Sequence, residues 1–126
     1  MNTVTRTERG WAGHFIEGYR CLFRRNTLLE CGKIKVVVST VGAYRNPQTY
    51  RIETIGCERH YETMAFHATF EDPYWEADVH REVSFDSPWQ LHYPDIFPAG
   101  VDNIANDMHE AVVAELTSKL SSGTPL

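Results

Sequence analysis

Two stretches of alternating polar and apolar residues, joined by a short turn, constrain this chain more than any other feature. Apolar residues recur at every second position from Met64 to Phe70 and from Trp75 to Phe85, with Arg81 as the exception. A period of two is typical of strands with one buried and one solvent-facing side. The linker Asp72-Pro73 suits a type I turn with Asp first and Pro second. The pattern predicts an antiparallel hairpin with these neighbours on its dry face: Phe66 and Val79, Ala68 and Ala77, Phe70 and Trp75.

The opposite face of this hairpin is expected to face solvent and is strongly acidic. It carries Thr63, Ala65, His67, Thr69, Glu76, Asp78, His80 and Glu82. A stripe of carboxylates on an exposed strand can dock on a basic partner. Glu76, Asp78, His80 and Glu82 are therefore candidate partner-binding residues.

The rest of the chain predicts an α+β fold, an antiparallel sheet of about five strands with one C-terminal helix packed on it. A second hairpin is expected around Gly32, from residues 22–29 and 34–41. The predicted segments of this single domain are a polar lead-in (1–10), the sheet (14–85), a proline-rich loop (86–100), the helix (102–120) and a tail (121–126).

The predicted helix has one apolar face at spacings of three and four residues. This face comprises Ile104, Met108, Ala111, Val112, Leu116 and Leu120. His109 is expected on the helix surface. His109-Glu110 begins a zinc-protease helix motif, but Val113 stands where the second histidine would be needed.

Composition limits the classes of function. The chain has 126 residues, of which 42% are hydrophobic, and a formal net charge of −5. That size suits one domain, and that charge argues against direct nucleic-acid binding. No apolar run approaches the roughly 18 residues of a membrane span, and the first residues lack a secretory apolar region. Three cysteines without CxxC spacing suit a reducing cytosol.

A local cluster of arginines stands out in this acidic chain. Arg20, Arg24, Arg25 and Asn26 lie close together in sequence, and Arg45, Arg51 and Arg59 could join them across the sheet. Guanidinium groups bind phosphate and carboxylate through paired hydrogen bonds. The candidate anion site is Arg20, Arg24, Arg25, Asn26, Arg45 and Arg59. The alternative is structural pairing with Glu17, Glu30, Glu53 or Glu62.

Catalytic chemistry finds little support. His67, Asp78 and His80 could hold a metal if they converged, but their spacing matches no metal motif. Cys57 and His60 lie three residues apart, which is weak evidence for a thiol nucleophile. The phosphate-binding and nucleophile motifs GxxxxGK[ST], GxGxxG and GxSxG are absent from the sequence. We therefore expect neither an enzyme nor a cofactor.

The proline-rich loop 86–100 is unusually aromatic. Its Trp89 and Tyr93 can cover either the chain's own sheet or another molecule. Both are candidate partner-binding residues, and burial of this loop between copies favours a homo-oligomer.

Several phrases, RGWAGHFI, FRRNTLLE, YETMAFHA, PYWEADV, REVSFDSPW and NDMHEAVV, resemble small bacteriophage and prophage proteins of unassigned function. The resemblance extends from Arg9 to Leu116. It implies a setting in the cytoplasm of an infected bacterium and a role against host defence.

Three functions remain open. The first is a non-catalytic protein that inhibits a host defence system by binding one of its proteins through the acidic face. The second is an oligomeric protein that sequesters a nucleotide-type immune signal at the arginines. The third is a small metal-dependent hydrolase using His67, Asp78 and His80.

Overall fold

The chain forms one antiparallel sheet followed by a helix, as the α+β prediction requires. The computed structural model describes residues 2–15, 17–56, 59–92 and 101–126. The strands are β1 (Thr5–Arg9), β2 (Cys21–Cys31), β3 (Ile34–Arg45), β4 (Ile52–Glu53), β5 (Arg59–Glu71), β6 (Tyr74–Val83) and β7 (Gln90–His92), and the helix is α1 (Val101–Ser121). The main sheet order is β1-β2-β3-β5-β6, while β4 pairs with β3 and β7 with β5. The described strands thus number seven rather than about five.

The two additional strands, β1 and β7, change the predicted segments. β1 lies within the predicted lead-in 1–10 and pairs with β2 from Thr5↔Glu30 to Arg9↔Asn26. β7 lies within the predicted loop 86–100, whose residues 93–100 are outside the described part of the chain. The helix exceeds its predicted range, 102–120, by one residue at each end.

The hairpin of β2 and β3 has the longest uninterrupted pairing in the sheet and lies where it was predicted. Its register runs from Cys31↔Ile34 to Cys21↔Tyr44. Gly32 has a φ of 60°, a left-handed conformation that glycine adopts without a Cβ penalty. Val36, Val37 and Val38 are fully buried, which fits a strand covered on both faces.

Both faces of the central strands are covered, so the prediction of one dry and one wet face was wrong. α1 packs on the face that carries Thr63 and Ala65, and both of these residues are fully buried. The opposite face carries Phe66 and is covered by residues 11–15, with the His14 ring 5.9 Å from the Phe66 ring. We call these two sides the helix face and the loop face.

A bulge in β6 changes which of its residues lie on each face of the sheet. Ala68 pairs with Ala77 and Phe70 with Trp75, as predicted, but Phe66 pairs with Glu82 instead of Val79. Asp78 stabilises the extra residues by accepting hydrogen bonds from the His80 backbone N–H and from Arg81 Nε, both at 3.0 Å. The insertion reverses the side-chain alternation, so Val83 is buried beneath α1 while Val79 is 56% exposed.

The turn between β5 and β6 also differs from its prediction. Glu71 pairs directly with Tyr74, leaving only two central residues. Asp72 and Pro73 occupy those positions, joined by a cis peptide bond. Proline is therefore third in the turn instead of second, and the turn is not type I.

The helix buries a face that is rotated from the predicted one. Met108, Val112, Leu116 and Leu120 are buried as expected. Ile104 and Ala111 are exposed, whereas Ala105, His109 and Val113 are buried. The prediction of His109 as a surface residue was wrong because the sheet beneath it offers hydroxyl partners. Among the described residues, no helix is long and apolar enough to span a bilayer.

The bulge makes a matched pair of substitutions informative. Val83→Thr should lower the free energy of unfolding by about 1–3 kcal/mol because it buries a hydroxyl. Val79→Thr should change it by less than about 0.5 kcal/mol because its side chain faces solvent. Urea unfolding of both variants measures the difference. Equal effects would contradict the reversal, since uninterrupted alternation places both valines on one face.

Candidate functional site

The six predicted anion-binding residues do not form one patch. Arg20 and Arg45 line the same cleft. Arg24 is exposed beside it and donates a hydrogen bond to the Tyr19 carbonyl oxygen at 3.4 Å. The other three are held elsewhere by internal contacts: Arg25, Asn26 and Arg59.

The cleft lies where β2 begins and β3 ends. It has a volume of about 360 Å³ and is lined by Tyr19, Arg20, Leu22, Arg45, Pro47 and Tyr50. We call it the arginine–tyrosine cleft. Its volume falls in the range of roughly 300–1,000 Å³ that is typical of small-molecule sites.

The cations of this cleft lack close counter-ions. Arg20 Nε is buried without a hydrogen-bond partner, and the nearest carboxylate oxygen, Glu17 Oε2, is 3.9 Å away. That oxygen already accepts a hydrogen bond from Tyr44 Oη at 2.9 Å. Arg45 is exposed, and within the described part of the chain its one hydrogen bond is to the Tyr50 carbonyl oxygen, at 3.4 Å. Both guanidinium groups therefore keep donors available for an anion.

Two exposed tyrosines lie at the rim, and left-handed backbone occurs at one of them and beside the turn that carries the other. Tyr19 is 64% exposed and Tyr50 is 71% exposed. Tyr50 has a φ of 59°, and Glu17, which precedes the 3-10 turn Gly18–Arg20, also has a φ of 59°. Left-handed non-glycine residues are costly and concentrate at functional sites. Sequence patterns did not single out either tyrosine, since exposure is decided by the surrounding fold.

Arg25 belongs to a quartet of alternating charges on the helix side. Its guanidinium lies 2.6 Å from Glu8 Oε1 and 2.9 Å from Glu110 Oε2. Arg6 lies 2.5 Å from the same two carboxylates. Hydrogen bonds from Arg6 and Arg25 lower the pKa of Glu110 to about 2, although partial burial opposes the shift. Arg25 is thus neutralised within the fold.

The imidazole of His109 lies beneath this quartet, enclosed by hydroxyl groups. Thr27 Oγ1 is 2.7 Å from Nε2, and Thr40 Oγ1 is 2.7 Å from Nδ1. Thr27 donates its single hydroxyl proton to Glu8 at 2.7 Å, so it must accept the Nε2 proton of the imidazole. Thr40 Oγ1 is also 2.6 Å from Thr63 Oγ1, so this hydroxyl can either donate to Nδ1 or accept from it. Burial lowers the pKa of His109 to about 4, so near pH 7 the ring is neutral and Nδ1 accepts from Thr40.

One group of potential metal ligands is brought together among the described residues. Glu8, His109 and Glu110 have ligand atoms within 4.8 Å of one another. A metal ion would have to displace two arginines and a threonine hydroxyl from these atoms. The set therefore fits an internal hydrogen-bond network better than a metal site.

The predicted metal set of His67, Asp78 and His80 does not converge within the described structure. Asp78 is committed to the bulge, where it also accepts from Thr69 Oγ1 at 3.3 Å. His80 is exposed, and His67 lies on β5. The geometry offers no support for the hydrolase alternative.

A serine–histidine–glutamate chain lies on the loop face. Ser39 Oγ is 2.7 Å from His14 Nδ1, and His14 Nε2 is 2.9 Å from Glu62 Oε1. This order resembles a catalytic triad, but Ser39 is fully buried and also accepts from the Gly13 N–H at 3.0 Å. Burial raises the pKa of Glu62, yet His14 and Arg59 lower it more, so the carboxylate is charged. These hydrogen bonds hold residues 11–15 against the sheet.

Asn26 is buried on the same face and is not available to a ligand. Its Oδ1 accepts hydrogen bonds from Arg9 Nε at 3.1 Å and Nη2 at 2.9 Å. Cys21 and Cys31 are buried free thiols, and burial raises the pKa of Cys21 to about 11. Cys57 lies outside the described residues.

The predicted partner-binding residues differ in their availability. Glu76 accepts a hydrogen bond from Trp11 Nε1 at 3.2 Å, and Asp78 stabilises the bulge. His80 and Glu82 are exposed, and Trp89 is 40% exposed. Tyr93 lies outside the described residues.

The buried histidine predicts a specific dependence of stability on pH. Its folded pKa of about 4 lies below its ordinary value of 6.5, so the unfolded chain binds the proton more tightly. Stability should therefore be complete above pH 6.5 and fall by up to ~3 kcal/mol as the pH drops to 4. His109→Gln, which does not titrate, should flatten this slope in urea unfolding, whereas the exposed His80→Gln should not. Parallel pH profiles for wild type and His109→Gln would contradict a neutral His109.

Comparisons with known proteins give no match from which a function could be inferred. No family model, no curated protein and no solved structure matches the chain. The resemblance to phage proteins accordingly stays a prediction.

Proposed function

We propose that this chain is a non-catalytic binding protein for a phosphate-bearing ligand of the nucleotide type, and that the arginine–tyrosine cleft is its site. The observation that carries the proposal is the convergence of Arg20 and Arg45 with two exposed tyrosines in one open cleft. Arginine pairs with phosphate oxygens and tyrosine stacks on bases, so the two residue types together suit a nucleotide.

The close ion pairs of three other arginines support the assignment of the site to Arg20 and Arg45. Arg6 and Arg25 contact carboxylates within 3 Å, and Arg59 lies 2.6 Å from Glu62. Arg20 and Arg45 have no comparable ion pair in the described structure. Arg20 has only the long contact of 3.9 Å with Glu17, so both arginines retain most of their attraction for an anion.

Binding without turnover is supported by the hydrogen bonds of two buried histidines, which leave no ring nitrogen free to act on a substrate. His109 uses both ring nitrogens on threonine hydroxyls, and His14 uses both on Ser39 and Glu62. A general base needs a free nitrogen within reach of the substrate. Neither histidine lines the arginine–tyrosine cleft.

In the bacterial cytoplasm of an infected host, such a protein would sequester a nucleotide-type immune signal. An acidic protein with one basic, aromatic cleft would bind the anionic signal locally while repelling nucleic acid elsewhere. The exposed Leu22 at the cleft provides apolar area that a second copy could cover, consistent with the expected homo-oligomer.

The cleft can be tested with ADP and inorganic pyrophosphate as probes. A probe at 100 times its dissociation constant should raise the free energy of unfolding by about 2.7 kcal/mol. Arg45→Ala should weaken both probes about tenfold, because one charge-assisted hydrogen bond contributes about 1.5–3 kcal/mol. Tyr50→Ala should weaken ADP more than pyrophosphate, since only ADP has a base to stack. Isothermal titration calorimetry measures these constants.

Lys33→Ala is the matched control, because it removes one exposed positive charge at the opposite end of the β2–β3 hairpin. It should leave both affinities within about twofold, as expected for a distant surface charge. Absence of binding by either probe, or equal losses in Arg45→Ala and Lys33→Ala, would refute the proposal.

The exposed polar residues of β6 remain the alternative, as a surface that binds a host defence protein, although the bulge separates Glu82 from the face that carries Glu76. The exposed residues His80 and Glu82 favour this function, while Glu76 and Asp78 are engaged internally. Glu82→Lys is therefore a cleaner test than a triple substitution, which would disturb Trp11 and the bulge. Lost capture of a defence protein by Glu82→Lys, with nucleotide affinity intact, would favour this alternative.

A further inference from the structure

A notch interrupts the edge of the sheet between β6 and β7. β6 pairs with β5 from Ala65 onward, and β7 pairs with β5 from Arg59 to Glu62. At the intervening position, Thr63 N–H donates to the Trp89 carbonyl oxygen at 2.8 Å. The gap has a volume of about 280 Å³, and its lining includes Arg59, Glu62, Met64, Glu82, Phe85 and Trp89.

Arg59, the cationic residue in the lining of the notch, is already neutralised by an internal ion pair. Arg59 Nη1 lies 2.6 Å from Glu62 Oε2, and Arg59 Nε donates to the Gly56 carbonyl oxygen at 3.2 Å. Its guanidinium carbon also lies 5.5 Å from the centre of the Trp89 ring. Arg59 is thus held in place on three sides and has little capacity to bind an anion.

The carboxylate of Glu82 is left as the uncompensated charge at the rim. Glu82 is exposed, and the structure gives it no ion pair among the described residues. The bulge places it on the loop face beside Phe66, where it enters the lining of the notch. Arg59 and Glu62 cancel, so the described lining carries a formal charge of −1.

The remaining walls suit an alkyl stem. Met64 and Phe85 are half-buried and provide apolar surface at the notch. Trp89 is an indole that already holds one guanidinium, which shows that its ring can support a cation–π contact.

We propose that this notch binds an alkyl cation, that is, a guanidinium or ammonium group on a hydrocarbon chain. The carboxylate of Glu82 pairs with the cationic head, Trp89 supports it, and the apolar wall takes the stem. The chemistry is that of an arginine or lysine side chain, or of a free amine of the same length. The site is separate from the arginine–tyrosine cleft, so either can fail without the other.

The test uses n-butylguanidinium as the free cation and N-acetyl-arginine N-methylamide as its peptide-borne equivalent. The readout is the NMR signal of the Trp89 indole N–H, assigned with Trp89→Phe. We expect saturable shifts with at least one probe, and none with butyrate, which has a similar stem and the opposite charge. The tighter of the two cations indicates whether the natural source is a free amine or a basic side chain.

Two glutamate variants distinguish specific binding in the notch from general electrostatic attraction of a cation to an acidic protein. Glu82→Gln should weaken the cation about fivefold, as expected from loss of one charge-assisted contact. Glu71→Gln removes the same charge at the far end of β5 and should change the affinity by less than about twofold, because that charge is screened. Arg45→Ala should have no effect, which separates this result from the cleft. Absence of a saturable shift with either cation, or equal losses in Glu82→Gln and Glu71→Gln, would overturn the proposal.

Discussion

The neutral imidazole of His109, held between the hydroxyls of Thr27 and Thr40, is the constraint on which the arrangement of the other groups depends. A buried polar group must find partners, or it costs several kcal/mol. The helix therefore docks in the one rotation that brings His109 over the two threonines. That rotation buries Ala105 and Val113, exposes Ile104, and places Glu110 beside the arginines of the first two strands.

The same constraint decides which arginines are available. With α1 in this position, Glu110 and Glu8 neutralise Arg6 and Arg25. On the other face, Glu62 is bound by His14 and Arg59. Arg20, whose ion pair with Glu17 is long at 3.9 Å, and Arg45 lie at the periphery, at one end of the hairpin. The charged groups that can bind a ligand therefore lie at the edge of the sheet, where close internal partners are few.

Much of the fold could be predicted because it follows from local patterns. The β2–β3 hairpin was predicted from a valine-rich run and the turn at Gly32, and α1 from a three–four spacing. The site could be predicted only in part: Arg20 and Arg45 were named, but Tyr19 and Tyr50 were missed, and Asn26 was assigned to a ligand although it binds Arg9 internally. Pairing between residues distant in sequence leaves no periodic signal.

The sequence by itself determined the element types, the strand-then-helix order and the acidic balance, because backbone preference and side-chain period are local properties. Only the tertiary structure decided which face α1 covers, where the bulge of Asp78 reverses the alternation, and which charges cancel. These outcomes depend on long-range satisfaction of buried polar groups. A bulge of three residues or one buried histidine changes which side chains meet, and no local pattern records that choice.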